Sequence, residues 1–296
     1  MEDSKILITG ADGQLGRALR AQYPNAQATT ANELDIANQN ALENYNWDKL
    51  TVVINAAGYT NVDGAETLEG RVSAWQVNAM GAANLAKLAN QKNLTLVHLS
   101  TDYVFDGTKN PHTEDEPLSP ISSYGASKAA GDIAVSLAPK HYLLRTSWII
   151  GDGRNFVRTM LELGRRDTSP MVVTDQMGRP TFTTDLAKAI DFLLLREAGY
   201  GTYNVTGDGE PVSWANLARV IFSEAGFDLG VTDTTTAKYL ANKPGTAKRP
   251  LNSLFDLTKI KSTGFSPRNW REDLADYINK ELQPHHLDAA QGADWE

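Results

Sequence analysis

A tyrosine and a lysine four residues apart, in Tyr124-Gly-Ala-Ser-Lys128, form a proton-transfer device if the segment is helical. At that spacing both side chains project from one helix face, so an ammonium below a phenol favours the ionised phenol and lowers its pKa. Far upstream, the glycine-rich turn Gly10-Ala-Asp12-Gly13-Gln14-Leu15-Gly16 follows the apolar run Ile6-Leu-Ile-Thr9. Such a turn lets backbone N–H groups and the dipole of the next helix approach a pyrophosphate. Together these pieces point to hydride transfer between a dinucleotide and a carbonyl, with the phenol giving or taking the proton. The glycine spacing is G-x-x-G-x-x-G rather than G-x-G-x-x-G, and a turn that merely links strand to helix is the plain alternative.

Further candidates sit where strands end. Asn55-Ala56-Ala57-Gly58 closes one apolar run with small residues, allowing close approach to a flat ligand or tight helix packing. His98-Leu-Ser100-Thr101-Asp102 closes another, which puts Thr101 at a carboxyl edge where it can hold a substrate oxygen or cap a turn. Around Ala28-Thr-Thr-Ala-Asn-Glu33 neither an acid at the strand tip nor an arginine selects the cofactor, so NADPH and NADH both stay open. Asp35-Ile36 can bind an adenine amine and cover the ring, or form a helix cap. Asp106, Glu114, Asp115 and Glu116 read as a solvated loop, and the five histidines show no ligand spacing, so no metal site is expected.

Positioning these residues requires a scaffold of alternating strands and helices. Apolar runs at about 5–9, 27–29, 51–55, 94–100 and 141–147 read as strands, separated by helical patterns at 14–22, 39–45, 66–91 (interrupted near Gly81) and 123–137. Right-handed crossovers then give an α/β, Rossmann-type doubly wound parallel sheet. After Gly151 the elements shorten and prolines recur, the pattern of a smaller C-terminal substrate-binding lobe. A helix at 184–196 capped by Thr183 or Thr184, a returning strand near 201–206, and a helix at 214–225 between Ser213 and Gly226 complete it. The expected division is 1–148 with 183–206 as dinucleotide domain, 149–182 with 207–282 as substrate lobe, and 283–296 as a flexible tail.

The whole chain narrows the function classes. Its 296 residues support a large core, 41% hydrophobic with 22% charged is ordinary globular composition, and a net charge of -8 leaves no broad basic surface for nucleic acid. With no cysteine, thiol catalysis and thiolate metal sites are excluded. A charged start running straight into the first strand, and no apolar run of bilayer length, make a cytoplasmic protein without membrane contact the expectation.

Taken together, the motifs resemble the extended short-chain dehydrogenase/reductases, and within them the dTDP-4-dehydrorhamnose reductase family. Besides the glycine turn and Tyr124-Gly-Ala-Ser-Lys128, the resemblance rests on Val53-Ile-Asn-Ala-Ala57 with Tyr59-Thr60 and Val62-Asp63, Val77-Asn-Ala79, and Ser100-Thr-Asp-Tyr-Val-Phe105 with Gly107. Ser119-Pro120, Arg145-Thr-Ser-Trp148, Asn155-Phe156, Asp175-Gln-Met-Gly-Arg-Pro-Thr181 and Arg249-Pro250 extend it over nearly the whole chain. The resemblance implies NAD(P)H-dependent reduction of dTDP-4-dehydro-β-L-rhamnose at C4. It implies that Thr101 holds the carbonyl oxygen, Tyr124 donates the proton, and Lys128 orients the cofactor and tunes Tyr124. Cofactor contacts are implied for Gly10, Asp12, Gly13, Gln14, Leu15, Gly16, Asp35, Ile36, Ala56, Ala57, Tyr59, Asn78 and Ser100, besides Tyr124 and Lys128. Substrate contacts are implied for Thr101, Asp102, Val104, Tyr124, Trp148, Asn155 and Arg179, with Trp148 packing on the sugar.

Two departures stand out. Some family members dimerise through magnesium held by an acid on the first helix, where this chain has Ala18, so a monomer or weak homodimer is expected. The motif after Trp148 continues Ile149-Ile150 rather than Val-Tyr. Fusion to or association with an epimerase stays open. Rival readings are an epimerase or dehydratase on the same scaffold, and a non-catalytic NAD(P)-binding regulatory subunit. The related dehydratases carry Asp-Glu after the threonine, whereas Asp102 is followed by Tyr103.

Overall fold

The computed structural model describes residues 2–241 and 243–283. The tail expected at 283–296 lies, apart from its first residue, outside them. Six parallel strands form the central sheet: β1 (Ile6–Thr9), β2 (Gln27–Thr29), β3 (Val52–Asn55), β4 (Thr95–Thr101), β5 (His141–Thr146) and β6 (Gly201–Asn204). Their order across the sheet is β6-β5-β4-β3-β1-β2. The chain leaves β1 toward β2, then returns to build β3 on the other side. That reversal opens a crevice at the carboxyl ends of β1 and β3.

The sheet is apolar on both faces because helices cover both. Successive β1 residues alternate between two cores. Ile6 and Ile8 pack with Leu144, Leu186 and Ile190 on one side, while Leu7 packs with Val53, Leu96 and Leu143 on the other. Helices α1 (Gln14–Gln22) and α7 (Thr183–Leu195) close the first side. On the second lie α2 (Gln39–Asn44), α4 (Ala82–Gln91) and α5 (Ser123–Ser136). Helix α3 (Leu68–Ala74) runs into α4 through a π-helical stretch, Trp75–Gly81. That widened turn is the interruption the sequence placed near Gly81. It carries the buried Asn78, which accepts from Tyr59 N–H at 2.8 Å and donates to Ser127 Oγ at 3.0 Å.

A third apolar cluster lies beyond the sheet. It joins α6 (Phe156–Arg165), α8 (Trp214–Glu224) and a terminal helix, Trp270–Glu281, through Val157, Leu161, Ile221, Trp270 and Leu274. Ser213 caps α8 by accepting from Asn216 N–H at 3.2 Å, as the sequence suggests. The cap expected for α7 is different: Thr183 is the first helical residue and Phe182 precedes it without a side-chain cap.

The terminal helix meets α7 through two carboxyls. Asp273 and Asp185 each keep one buried oxygen, Oδ2, without a conventional donor. Burial and the neighbouring Asp185 push the Asp273 carboxyl up to about 7, against the pull of Arg268. The folded state therefore holds a proton that the unfolded chain releases near 3.8. Stability falls as pH rises from that value toward about 7, then levels off. Asp273→Asn removes this dependence, so melting temperatures of variant and parent should diverge progressively across that window, in favour of the variant at neutral pH.

Candidate active site

The crevice opens into a cleft of about 690 Å³ bounded by the glycine turn, the end of β3, the end of β4, α5 and the third cluster. Its floor is built by close backbone approach. Gly10 has φ of +72°, and a Cβ there would lie 2.5 Å from the backbone nitrogen of Ala57. Gly16 faces the same turn: its Cβ would stand 2.0 Å from the Gly10 carbonyl oxygen. Gly13 is the N-cap of α1 and supplies no side chain to its first-turn amides. Those N–H groups face the cleft with the positive end of the helix dipole, a cradle suited to a dinucleotide pyrophosphate. Gln14, Leu15, Ala56, Ala57, Tyr59 and Asn78 line the same cavity.

Tyr124 and Lys128 stand one turn apart on α5, and both side chains reach the cleft. Burial pushes the Tyr124 phenol up, the Asp102 charge adds to this, and Thr101 opposes it. The phenol lies above its ordinary value, whereas the sequence suggests that Lys128 lowers it. Lys128 Nζ instead donates to the Leu99 carbonyl at 2.5 Å, and desolvation dominates the phenol. A phenol so held is a proton donor rather than a base. Burial lowers the Lys128 ammonium to about 8, with Asp132 pulling the other way. Asp132 is itself anchored by Arg145 Nε at 3.0 Å.

Across from Tyr124, Thr101 donates to Asp102 Oδ1 at 3.0 Å and accepts from Tyr103 N–H at 3.2 Å. While Asp102 is ionised, the single Thr101 proton points at that carboxylate. As placed, Thr101 offers the cleft a lone pair, which differs from the expected role of a donor holding a ketone oxygen. Ser100 lines the cleft, its hydroxyl beside the Asp132 carboxylate.

The far wall is aromatic. Trp148, at φ of +49°, stacks on Trp214 with ring centroids 3.6 Å apart and planes 16° from parallel. Such a wall suits the faces of a sugar or base.

The chain matches the family described as RmlD substrate binding domain over residues 4–283. The dTDP-4-dehydrorhamnose reductase of Aggregatibacter actinomycetemcomitans is 41% identical, the alignment covering 92% of this chain and 97% of that protein. This chain belongs to the family. The crystal structure of a dTDP-4-dehydrorhamnose reductase from Clostridium acetobutylicum superposes with a TM-score of 0.87 at 41% identity, covering 94% of this chain and 99% of that one. The Bacillus anthracis enzyme in complex with NADP gives 0.85 at 34% identity, with the same coverages.

For this RmlD-family chain, several expected site residues lie elsewhere. Arg179 points away from the cleft: its Nε donates to the Gly209 carbonyl at 2.7 Å and Nη1 to that of Phe255 at 3.3 Å, in a separate depression with Asp208 and Lys261. Its neighbour Gly178 packs against Trp148, and successive residues of an extended segment face opposite ways. Asn155 caps α6, and its amide donates to the Gly151 carbonyl at 2.9 Å and the Tyr277 hydroxyl at 2.8 Å, so it shapes the loop instead of lining the cleft. Val104 is wholly buried in the core. Asp35 accepts from Ala37 N–H at 2.9 Å, which favours its turn-forming alternative, and Ile36, buried beneath Gly81, has little surface left for a ring.

Other cleft residues had no role in the sequence reading. Trp214 entered only as a helix start. Arg249 entered only as part of a motif, yet it lines the cleft while held by Asp63 Oδ2 at 2.9 Å. Arg154 lines the cleft beside Gln14, whose amide donates to its carbonyl at 3.2 Å, and its guanidinium has no protein partner among the described residues.

Proposed function

We propose that this chain reduces the C4 carbonyl of dTDP-4-dehydro-β-L-rhamnose to give dTDP-L-rhamnose, using NADPH or NADH. The observation that carries the reading is the meeting, in one cleft, of an uncapped helix N-terminus on a glycine turn with a buried phenol and ammonium on adjacent turns of α5. Family membership, and the names of relatives over nearly the full chain, favour this substrate over other ketones.

Gly10 and Gly16 let the turn close tightly, since a Cβ at either would collide with neighbouring backbone, and Gly13 leaves the α1 amides uncovered for a dinucleotide. The α1 amides would hold its pyrophosphate, and Lys128 its nicotinamide ribose. A reduced nicotinamide supplies the hydride when bound. Tyr124, kept protonated by its surroundings, delivers a proton to the oxygen as negative charge develops there. Trp148 and Trp214 give the sugar a flat wall, and burial excludes water from the reacting oxygen. With Arg179 elsewhere, the cleft's guanidinium groups are those of Arg17, Arg154 and Arg249, and we assign the substrate diphosphate to Arg154 and Arg249.

The domain division, with the sheet holding the cofactor and the third cluster supplying the substrate wall, is part of the same proposal. Absorbance loss of NADPH and of NADH with enzymatically prepared dTDP-4-dehydrorhamnose tests it. One cofactor should disappear per sugar. Substrate turnover with no net cofactor consumption would favour an epimerase, and inertness toward every dTDP-4-keto sugar would favour a regulatory subunit.

A further inference from the structure

Thr101 is connected to the rest of the molecule in a way that its proposed role does not explain. Asp102, whose Oδ1 takes the Thr101 proton, uses its other oxygen to accept from Ser253 Oγ at 2.5 Å. Ser253 arrives from a segment 151 residues away, the same segment that carries Arg249 and Pro250 into the cleft. Thr101, Asp102 and Ser253 are 8%, 3% and 4% exposed, so the bonds among them are largely shielded from water.

A hydroxyl has one proton and two lone pairs. While Asp102 is a carboxylate, Thr101 must donate to it, and two acceptors, the ketone oxygen and Thr101, then face each other. If Asp102 is neutral, its O–H donates to Thr101, Tyr103 N–H fills the second acceptor position, and the Thr101 proton turns to the cleft. The hydrogen bonds then run one way, from Ser253 through Asp102 and Thr101 to the ketone.

We infer that Asp102, held by Ser253, is a positioning residue whose protonation sets the direction of its bond to Thr101, and so decides whether Thr101 donates to the substrate carbonyl. The inference rests on the reductase reading. The Asp102 proton comes from solvent before the reaction and is not consumed; the proton added to the sugar leaves Tyr124. Burial pushes the Asp102 carboxyl up, favouring its neutral form, while Ser253, Thr101 and the charge of His112 oppose this. Tyr124 on α5 and Tyr103 on the following turn are the other titratable groups that feel its charge.

The test compares kcat and KM across the acidic and neutral pH range for the parent, Asp102→Ala, Asp102→Asn and Ser253→Ala. Asp102→Ala removes both the acceptor that captures the Thr101 proton and the donor that turns it, so its kcat should lose the parent's dependence on this ionisation, with the sugar KM little changed. An asparagine amide can donate permanently to Thr101 while its oxygen accepts from Ser253. Asp102→Asn should therefore keep a kcat close to the parent's acid-side plateau at every pH, and its profile should lack one ionisation that the parent shows. Lys128, near about 8, titrates in both proteins and cancels in the comparison. Ser253→Ala takes a donor from the carboxylate and should move the ionisation upward.

The inference is overturned if Asp102→Asn keeps the parent profile or is as slow as the parent with Asp102 ionised. Should Asp102→Ala not fold, an ionisation unmoved in Ser253→Ala overturns it equally. Failure of the parent itself to consume NADPH would instead remove the reductase reading.

Discussion

Replacing Tyr124 with Phe lowers kcat on the order of 10²- to 10⁴-fold, the usual span for loss of a positioned general acid. The hydroxyl stays protonated in the free site and donates only to a stronger base such as a developing alkoxide. Burial and the Asp102 charge both push the phenol up, so it is fully protonated at neutral pH. The ring itself packs edge-on against Tyr103, centroids 5.4 Å apart, and Phe preserves that contact. Melting temperature and NADPH affinity should therefore stay close to those of the parent, which separates lost chemistry from lost structure. Steady-state kinetics with cofactor titration checks both. Near-normal turnover in a folded variant would assign the proton to another group.

The glycine turn yields a prediction of a different kind, in which two similar substitutions have separate consequences. A Cβ at Gly16 would meet only backbone, 2.0 Å from the Gly10 oxygen and 2.8 Å from Ala11 Cα, so neither rotamer change nor side-chain movement relieves it. Gly16→Ala must push α1 away from the end of β1, at a cost of about 1–3 kcal/mol or more, and weaken dinucleotide binding as well. At Gly13 the nearest atom to a Cβ is 3.4 Å away, an ordinary contact. Gly13→Ala should leave stability nearly intact, yet lower cofactor affinity, since this residue lines the cleft over the α1 amides. Thermal melts with and without NADPH distinguish the two. Equal destabilisation by both would refute the close-approach argument.

The parts of the molecule that could be read from sequence are those fixed by local periodicity. The strands through β5 match their expected positions to within a residue or two; β1 and β3 are apolar up to their last residue because both faces of the sheet are covered, whereas the edge strand β2 is Gln-Ala-Thr. Tyr124 and Lys128 were legible because helical spacing alone puts them together. Thr101 was legible as a strand-end residue, but the direction of its hydrogen bond was not, since Ser253 and Asp102 meet across 151 residues of chain. The pairing of Trp148 with Trp214 is hidden for the same reason.

Arg179 shows the opposite failure. Its residue type suits a diphosphate, but strand alternation next to Gly178 turns it to the other face. The environment of Tyr124 was not legible either: burial pushes the phenol up, and the Lys128 ammonium bonds to the Leu99 carbonyl. Membrane crossing by a helix is a simpler case, since none among the described residues is long and apolar enough.

The central claim is that a hydride passes to the sugar carbonyl in the cleft beside Tyr124. Its most direct test is product analysis after reaction of dTDP-4-dehydrorhamnose with NADPH deuterated at the transferring position. The account predicts one deuterium on C4 of the resulting dTDP-L-rhamnose and one equivalent of NADP formed. Product without deuterium at C4, or deuterium at another carbon, would contradict it.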